Sequence, residues 1–207
     1  MRAVAETLAG EGGAWCNVNM VRLDRIVTRG GDGGETSLGD GTRLPKSAPR
    51  IAALGEVDEA NAAIGVARTQ VPLGVAELLG RIQNDLFDVG ADLCLPLGQE
   101  RPALRVSAAQ VEWLEGEIGR LNESLAPLTS FVLPGGTPGA AFLHLARTVV
   151  RRAERAVVHL AEAPGETLNR LVLIYLNRLS DLLFVLARVA NAEGAGDVAW
   201  EPGRDGG

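Results

Sequence analysis

Residues 137–162 read TPGAAFLHLARTVVRRAERAVVHLAE, and the spacing of their side chains decides the fold. Phe142, Ala146, Val149, Ala153, Ala156 and Leu160 recur at steps of three or four, which predicts a long helix with one apolar seam. His144, Arg147, Arg151, Glu154 and Arg155 step the same way along another side. With Arg152, that side holds four arginines and no lysine. Guanidinium groups suit planar, bidentate recognition of phosphate or carboxylate. The stripe is therefore either a solvated charged face or an anion site, and the helix alone does not choose between them.

Four further helices are read outward from this one. The first starts near Ser47 with Pro49 in its opening turn, and its seam is Ala53, Val57, Ala60, Ile64, Ala67 and Val71. Asp58, Asn61, Gly65 and Arg68 fall on another face. The second, at about 74–94, carries Val75, Leu78, Ile82, Leu86, Val89 and Leu93. After a loop at 95–106 that contains two prolines, Ser107 is positioned as the N-cap of a third helix. Val111, Leu114, Ile118, Leu121 and Leu125 form its seam, and Pro127 ends it. The last, from about Gly165 to Ala192, is apolar nearly all round, as a central or shared helix would be. Asn177, Asp181 and Arg188 make one polar line down it, and Arg178 can pair with Asp181 at i+3. That line is either a structural network or part of a ligand site. Five helices with short connections predict an all-α, up-and-down five-helix bundle, with one short strand at Arg25–Val27. Residues 193–207 are expected to fray.

Composition narrows the function. A net charge of −6 argues against a general nucleic-acid binder, so an anion site must be a local concentration of positive charge. Cys16 and Cys94 lie far apart with no CxxC, and neither His144 nor His159 has a Glu three residues before it. Disulfide frameworks, zinc sites and di-metal carboxylate bundles are thereby disfavoured, and no metal-ligating residue is assigned. No apolar run reaches the length of a membrane span and no signal-peptide pattern opens the chain, so a cytoplasmic protein is expected. Residues 1–21 read as a disordered tail, unless Met20 is the natural start.

Residues 28–43, TRGGDGGETSLGDGTR, hold six glycines in sixteen positions, too many for a helix or a regular strand. Donors and acceptors at Thr28, Arg29, Asp32, Thr36 and Ser37 favour an anion-cradling loop over a plain linker. The stretch matches neither a Walker A nor a dinucleotide-binding fingerprint.

Four segments taken together, TRGGDGGETSL, GEVDEANAAIG, FVLPGGT…ARTVVRRAER and LNRLSDLLFVLARVAN, closely resemble the PduO-type ATP:cob(I)alamin (corrinoid) adenosyltransferases. The resemblance covers roughly residues 24–195, in family order and spacing. Arg29 stands where the family usually has Lys, and Gly30 and Gly33 replace polar residues. A catalytic domain over 22–195, with its ATP loop at 24–43 and a flexible tail at 196–207, is the expected organisation.

By resemblance, the protein is a homotrimer with active sites between neighbouring subunits. ATP and Mg²⁺ are implied, with cob(I)alamin as the substrate. Thr28, Arg29, Gly30, Gly31, Thr36 and Ser37 would bind ATP, and Lys46 would reach the phosphates. Arg151, Arg152, Glu154, Arg155 and Asn177 would complete the site from the facing subunit. Asp58 would pair with Arg147 across the interface, and Phe131 would lie against the lower face of the corrin ring. Read without the resemblance, Phe131 is a core anchor beside the FVLP turn. A reductase and a cobalamin-dependent acceptor enzyme are the further partners this chemistry admits. The competing reading is a non-catalytic corrinoid or ATP-binding carrier or regulator of the same fold. Arg151, Lys46 and Asn177 speak against it, because a carrier needs no triphosphate clamp.

Overall fold

In the computed structural model, which describes residues 27–98 and 103–203, five helices carry the expected seams. They are α1 (Pro49–Arg68), α2 (Leu73–Cys94), α3 (Ala108–Asn122), α4 (Pro138–Glu162) and α5 (Arg170–Ala190). The core is aliphatic, and Ala53, Ile64, Ile82, Leu114, Ala146, Ala153, Leu176 and Leu183 are buried in it. Ser107 starts α3 as predicted, its N–H donating to Gln110 Oε1 at 2.9 Å in a capping box. The helix ends at Asn122, ahead of Pro127.

Neighbour relations depart from a sequential up-and-down order. Along the bundle the helices pack as α2–α1–α4–α5–α3, so α4 lies between α1 and α5. Two flanking helices widen its buried face beyond one seam. Leu143, Val150 and Val157 are buried beside Ala146, Ala153 and Leu160, while Phe142 and Ala156 are only partly covered. His144, read as part of the polar stripe, is buried at 2% exposure. Helix α5 buries Val172, Leu176, Leu179, Leu183 and Leu186 and leaves Ile174 exposed in the single chain. It also starts later than predicted, because Asn169 caps it and Glu166 and Thr167 are drawn aside by Arg50. Arg178 pairs with Glu115 on α3 at 2.7 Å and not with Asp181, since α3 packs on α5.

The glycine-rich segment does contain regular structure. β1 (Glu35–Ser37) and β2 (Arg43–Pro45) form an antiparallel hairpin with Thr36 opposite Leu44. Gly34 and Gly41, at φ +83° and +88°, make the bends that confine the glycines to the turns. The C-terminal segment is not frayed over its described part. Ala199 bridges to Val132, and the Trp200 N–H donates to the Phe131 carbonyl at 2.7 Å. The expected tail at 1–21, the Met20 start and the first two residues of the Arg25–Val27 strand lie outside the described residues, and Val27 lies in no strand.

One buried charge ties the bundle end together. Arg50, 1% exposed, donates to the Leu93 carbonyl at 2.6 Å, to the Thr167 carbonyl at 2.9 Å and to Glu166 at 3.1 Å through Nε. It thus joins α1, the end of α2 and the α4–α5 turn. Removing it strands these acceptors without donors. Arg50→Ala is expected to lower stability by about 3 kcal/mol, the scale for breaking a buried pair from one side, as read by urea unfolding. A loss below about 1 kcal/mol would show that water takes over these bonds.

Candidate functional site

The hairpin loop holds a cluster of backbone and cationic groups. The Arg43 guanidinium donates to the Gly30 carbonyl at 2.9 Å, fixing the turn that carries Arg29 and Gly31. Arg29 itself sits at φ +60°, a left-handed conformation that costs a non-glycine residue energy and tends to mark functional loops. A Cβ on Gly31 would lie 3.0 Å from Lys46 Nζ, so the absence of a side chain there lets the ammonium rest on the loop backbone. The Lys46 N–H in turn donates to the Gly34 carbonyl at 2.8 Å. The loop is moored to the bundle where the Gly39 N–H donates to Cys94 Sγ at 3.0 Å. Thr28, Arg29, Gly30, Gly31, Thr36, Ser37 and Lys46 therefore share one small substructure. Arg43 belongs to it as well, although sequence reading passed it over; a hairpin register would have been the signal.

A second group lies across α4 and α5. The Asn177 amide donates to Glu154 Oε1 at 3.0 Å, and its own carbonyl oxygen accepts from Arg178 at 2.8 Å. Asn177 is thus oriented from both sides, next to the turn of α4 that bears Arg151 and Arg155. Both of these arginines are exposed, and among the described residues neither forms an ion pair. Arg152 differs: it bonds Glu56 at 2.6 Å and also Glu59, both on α1. Those two carboxylates hold its pKa above the usual arginine range, Glu59 contributing most. Its charge is already matched within the chain.

Among the described residues, no hydrogen bond or ion pair joins the candidate loop residues to Arg151, Glu154, Arg155 or Asn177 within one chain. Among the described residues no hydrogen bond or ion pair joins Asp58 to Arg147, and the two line different cavities. Asp58 borders a groove of about 360 Å³ between α1 and α2, beside the exposed ring of Phe87. Arg147 borders a cavity of about 450 Å³ with Phe131, His144, Asp181 and Phe184.

That second cavity is mostly apolar with a few polar groups, the usual build of a ligand site. Phe131 stands at its rim with 77% of its surface exposed, so it is no core anchor. Its ring meets Trp200 edge to face, with centroids 6.0 Å apart. Arg147 lies over the Phe184 ring at 5.6 Å. Burial, then the neighbouring Arg151 charge, lower the Arg147 pKa against a smaller opposing pull from Asp181. A guanidinium disfavoured by burial and then by a like charge beside it gains from a nearby anion. Phe184 and Trp200 were not singled out from sequence, and His144 and Asp181 were read only as members of polar lines on α4 and α5, with no individual role. Only contacts between distant segments bring them here.

Comparison with known proteins places these features in context. The profile of the family described as cobalamin adenosyltransferase matches residues 26–190. A corrinoid adenosyltransferase of Mycobacterium tuberculosis is 50% identical over 192 residues, spanning 89% of this chain and 97% of that protein. Among solved structures, a phenylalanine-to-alanine variant of a PduO-type ATP:corrinoid adenosyltransferase from Lactobacillus reuteri, complexed with cobalamin and ATP, superposes with a TM-score of 0.81. It is 38% identical, with 86% of this chain and 99% of that one covered. An arginine-to-lysine variant of the Lactobacillus reuteri enzyme, complexed with ATP, gives a TM-score of 0.78 at 38% identity, over 85% of this chain and all of that one.

One titration follows from the cavity. Burial, and next the Arg147 charge, push the His144 pKa below its ordinary value of 6.5, against a smaller pull from Asp197. The imidazolium is therefore disfavoured in the fold relative to the unfolded chain. The stability this residue contributes is complete above the ordinary pKa of 6.5 and is lost as pH falls below it. The urea midpoint of the wild type is expected to fall more steeply between about pH 7 and pH 5 than that of His144→Gln. Parallel slopes would contradict the assignment.

Proposed function

We infer the reaction from one premise: the chain belongs to the cobalamin adenosyltransferase family. It is an ATP:corrinoid adenosyltransferase, which transfers the 5′-deoxyadenosyl group of ATP to the cobalt of cob(I)alamin and releases triphosphate. In balance, a Co–C bond forms at C5′ from the cobalt electron pair, and the C5′–O bond breaks with its pair leaving on triphosphate. No proton is removed from the nucleophile, so no general base is needed. The protein's tasks are to hold C5′ in line with cobalt and to stabilise charge developing on the leaving group.

The observation that carries the site assignment is the unpaired arginine pair beside the oriented Asn177, set apart from a loop built to cradle an anion. We assign Thr28, Arg29, Gly30, Gly31, Thr36 and Ser37 to the nucleotide, with Lys46 on the phosphates from its seat on Gly31. Arg151 is the principal group stabilising the departing triphosphate, and Arg155, Glu154 and Asn177 complete its surroundings. Arg152, held by Glu56 and Glu59, binds α4 to α1 without a phosphate contact. Phe131, with no lone pair to offer, faces the lower side of the corrin and keeps an axial ligand off cobalt, which eases reduction of Co(II) to Co(I).

We propose that the two half-sites meet between neighbouring subunits of a homotrimer. The separation of loop and arginine patch within one chain supports this, as do the exposed Phe87 and an Asp58 that forms no ion pair among the described residues. Asp58 is assigned to Arg147 of the adjoining copy. Among the described residues no cluster of three or more His, Cys, Asp or Glu could hold a metal. The fit to Mg²⁺ is therefore that of an ion carried by the phosphates, with Glu154 on α4 and Asp32 and Glu35 in the loop as the carboxylates closest in sequence to the assigned groups. When bound, the ion would supply further neutralisation of the triphosphate. No helix among the described residues is long and apolar enough to cross a membrane. A cytoplasmic setting suits an ATP-consuming enzyme, with a reductase supplying Co(I) and a cobalamin-dependent enzyme accepting the product.

The activity is tested by anaerobic incubation with ATP, Mg²⁺, cobalamin and a reductant, following the absorption spectrum of adenosylcobalamin. Folded protein that makes none would overturn the assignment. Arg151→Ala is expected to lower turnover by about 10²-fold or more, the scale for losing a charge-stabilising donor, and a near-normal rate would contradict its role.

A further inference from the structure

Phe131 poses a mechanical problem. Its ring is 77% exposed, and it sits on a connector between α3 and α4 that lies in no helix. Packing does not hold it, so its position is set by whatever holds the backbone beneath. That backbone pairs with the C-terminal segment. The Trp200 N–H donates to the Phe131 carbonyl at 2.7 Å and the Leu133 N–H donates to the Val198 carbonyl at 2.8 Å. The Ser130 hydroxyl donates to the Trp200 carbonyl at 2.8 Å, and the Trp200 ring meets the Phe131 ring edge on.

The C-terminal segment is in turn fastened by a buried ion pair. Arg188 Nε donates to Asp197 Oδ2 at 2.8 Å, with both side chains only 7% exposed. The other end of the guanidinium donates to the Ala126 carbonyl at 2.8 Å, at the start of the connector. Asn191, 2% exposed, donates to Asp197 Oδ1 and to the Gly135 carbonyl, each at 3.2 Å, and accepts from the Thr137 N–H at 3.0 Å. The connector is thus gripped at both ends and in its middle, and Asp197 is common to the grips. Gly136, at φ +100°, passes so close to the Asn191 amide that a Cβ would collide with it.

We propose that Arg188, Asp197 and Asn191 form a clamp that positions Phe131 for the reduction-dependent half of the reaction, acting through the 198–200 segment. The inference rests on the reading of Phe131 given above. A ring that excludes an axial ligand works only within van der Waals reach of the corrin face, and a displacement of about 1 Å can cost about a hundredfold in rate. ATP binding, by contrast, uses the hairpin loop and the Arg151 turn, which the clamp does not touch. The clamp residues are positioning residues and contact neither substrate.

The test compares wild type, Asp197→Ala, the milder Asp197→Asn, and Phe131→Ala as reference. Each full-length protein is assayed from Co(II) with a reductant and from chemically prepared Co(I), and the bound Co(II) corrinoid is examined by EPR for a lower ligand. In Asp197→Ala the Co(II)-dependent rate is expected to fall by about tenfold or more. Its Co(I) rate and its KM for ATP should stay within about threefold of wild type, and its EPR spectrum should gain an axially ligated fraction as that of Phe131→Ala does. Asp197→Asn, which keeps the shape and an acceptor, should show the same imbalance to a smaller degree and serves if Asp197→Ala is poorly folded. Equal losses in the two assays, or no loss, alongside an imbalance in Phe131→Ala, would overturn the clamp while leaving the reading of Phe131 intact. If Phe131→Ala itself loses both rates equally, that reading fails and the clamp's role fails with it.

Discussion

Helix α4 is wedged between α1 and α5, and that placement divides its circumference into three parts. One part is filled by aliphatic packing against both neighbours, from Leu143 to Leu160. A second is neutralised within the chain, where Arg152 meets Glu56 and Glu59. The third, with Arg147, Arg151 and Arg155, forms no ion pair among the described residues. Burial first, and then the Arg151 guanidinium beside it, lower the Arg147 pKa. The arrangement is stable enough to fold, because Arg151 and Arg155 remain in water, and it becomes favourable once a polyanion arrives. Association and phosphate binding draw on the same unmatched charge.

This explains a division of labour among similar residues. Four arginines within nine residues of one helix look equivalent by type. Their surroundings separate them: Arg152 faces α1 and its acids, Arg147 faces the apolar cavity and Phe184, and Arg151 and Arg155 face outward. The chemistry asks for the same separation. In the proposed assignment, triphosphate departure draws on exposed positive charge, and corrin reduction on an aromatic ring that offers no lone pair. Phe131 and Arg147 border one cavity, which Arg151 and Arg155 do not line.

The helical frame was legible because each core-facing residue repeats locally. The seams of α1 and α2 and the Ser107 cap depend on neighbours three or four positions away, which the sequence displays directly. The proposed phosphate groups were legible for another reason, as a helix stripe of four arginines without lysine and a loop dense in glycine with donors and acceptors between. Contacts between distant segments left no such trace. Arg50 looks like any surface arginine, yet its acceptors lie at Leu93, Glu166 and Thr167. His144 follows the polar periodicity of α4 and is buried only because α5 brings Phe184 against it at 6.0 Å. The hairpin strands are three residues each, too short to show alternation through the glycines. The Asp197 pairing with Arg188 orders a terminus that its composition suggested would fray.

The central claim is that one active site draws its loop from one copy and its arginine patch from another. Mixed oligomers test it most directly. Lys46→Ala damages the loop half and Arg151→Ala the helix half, so each variant alone should be nearly inactive. Co-expressed in equal amounts and purified together, they should regain about a quarter of wild-type turnover, since random assembly pairs an intact loop with an intact patch at about one site in four. Mixed oligomers no more active than either variant alone would contradict the claim and place both halves of the site within a single chain.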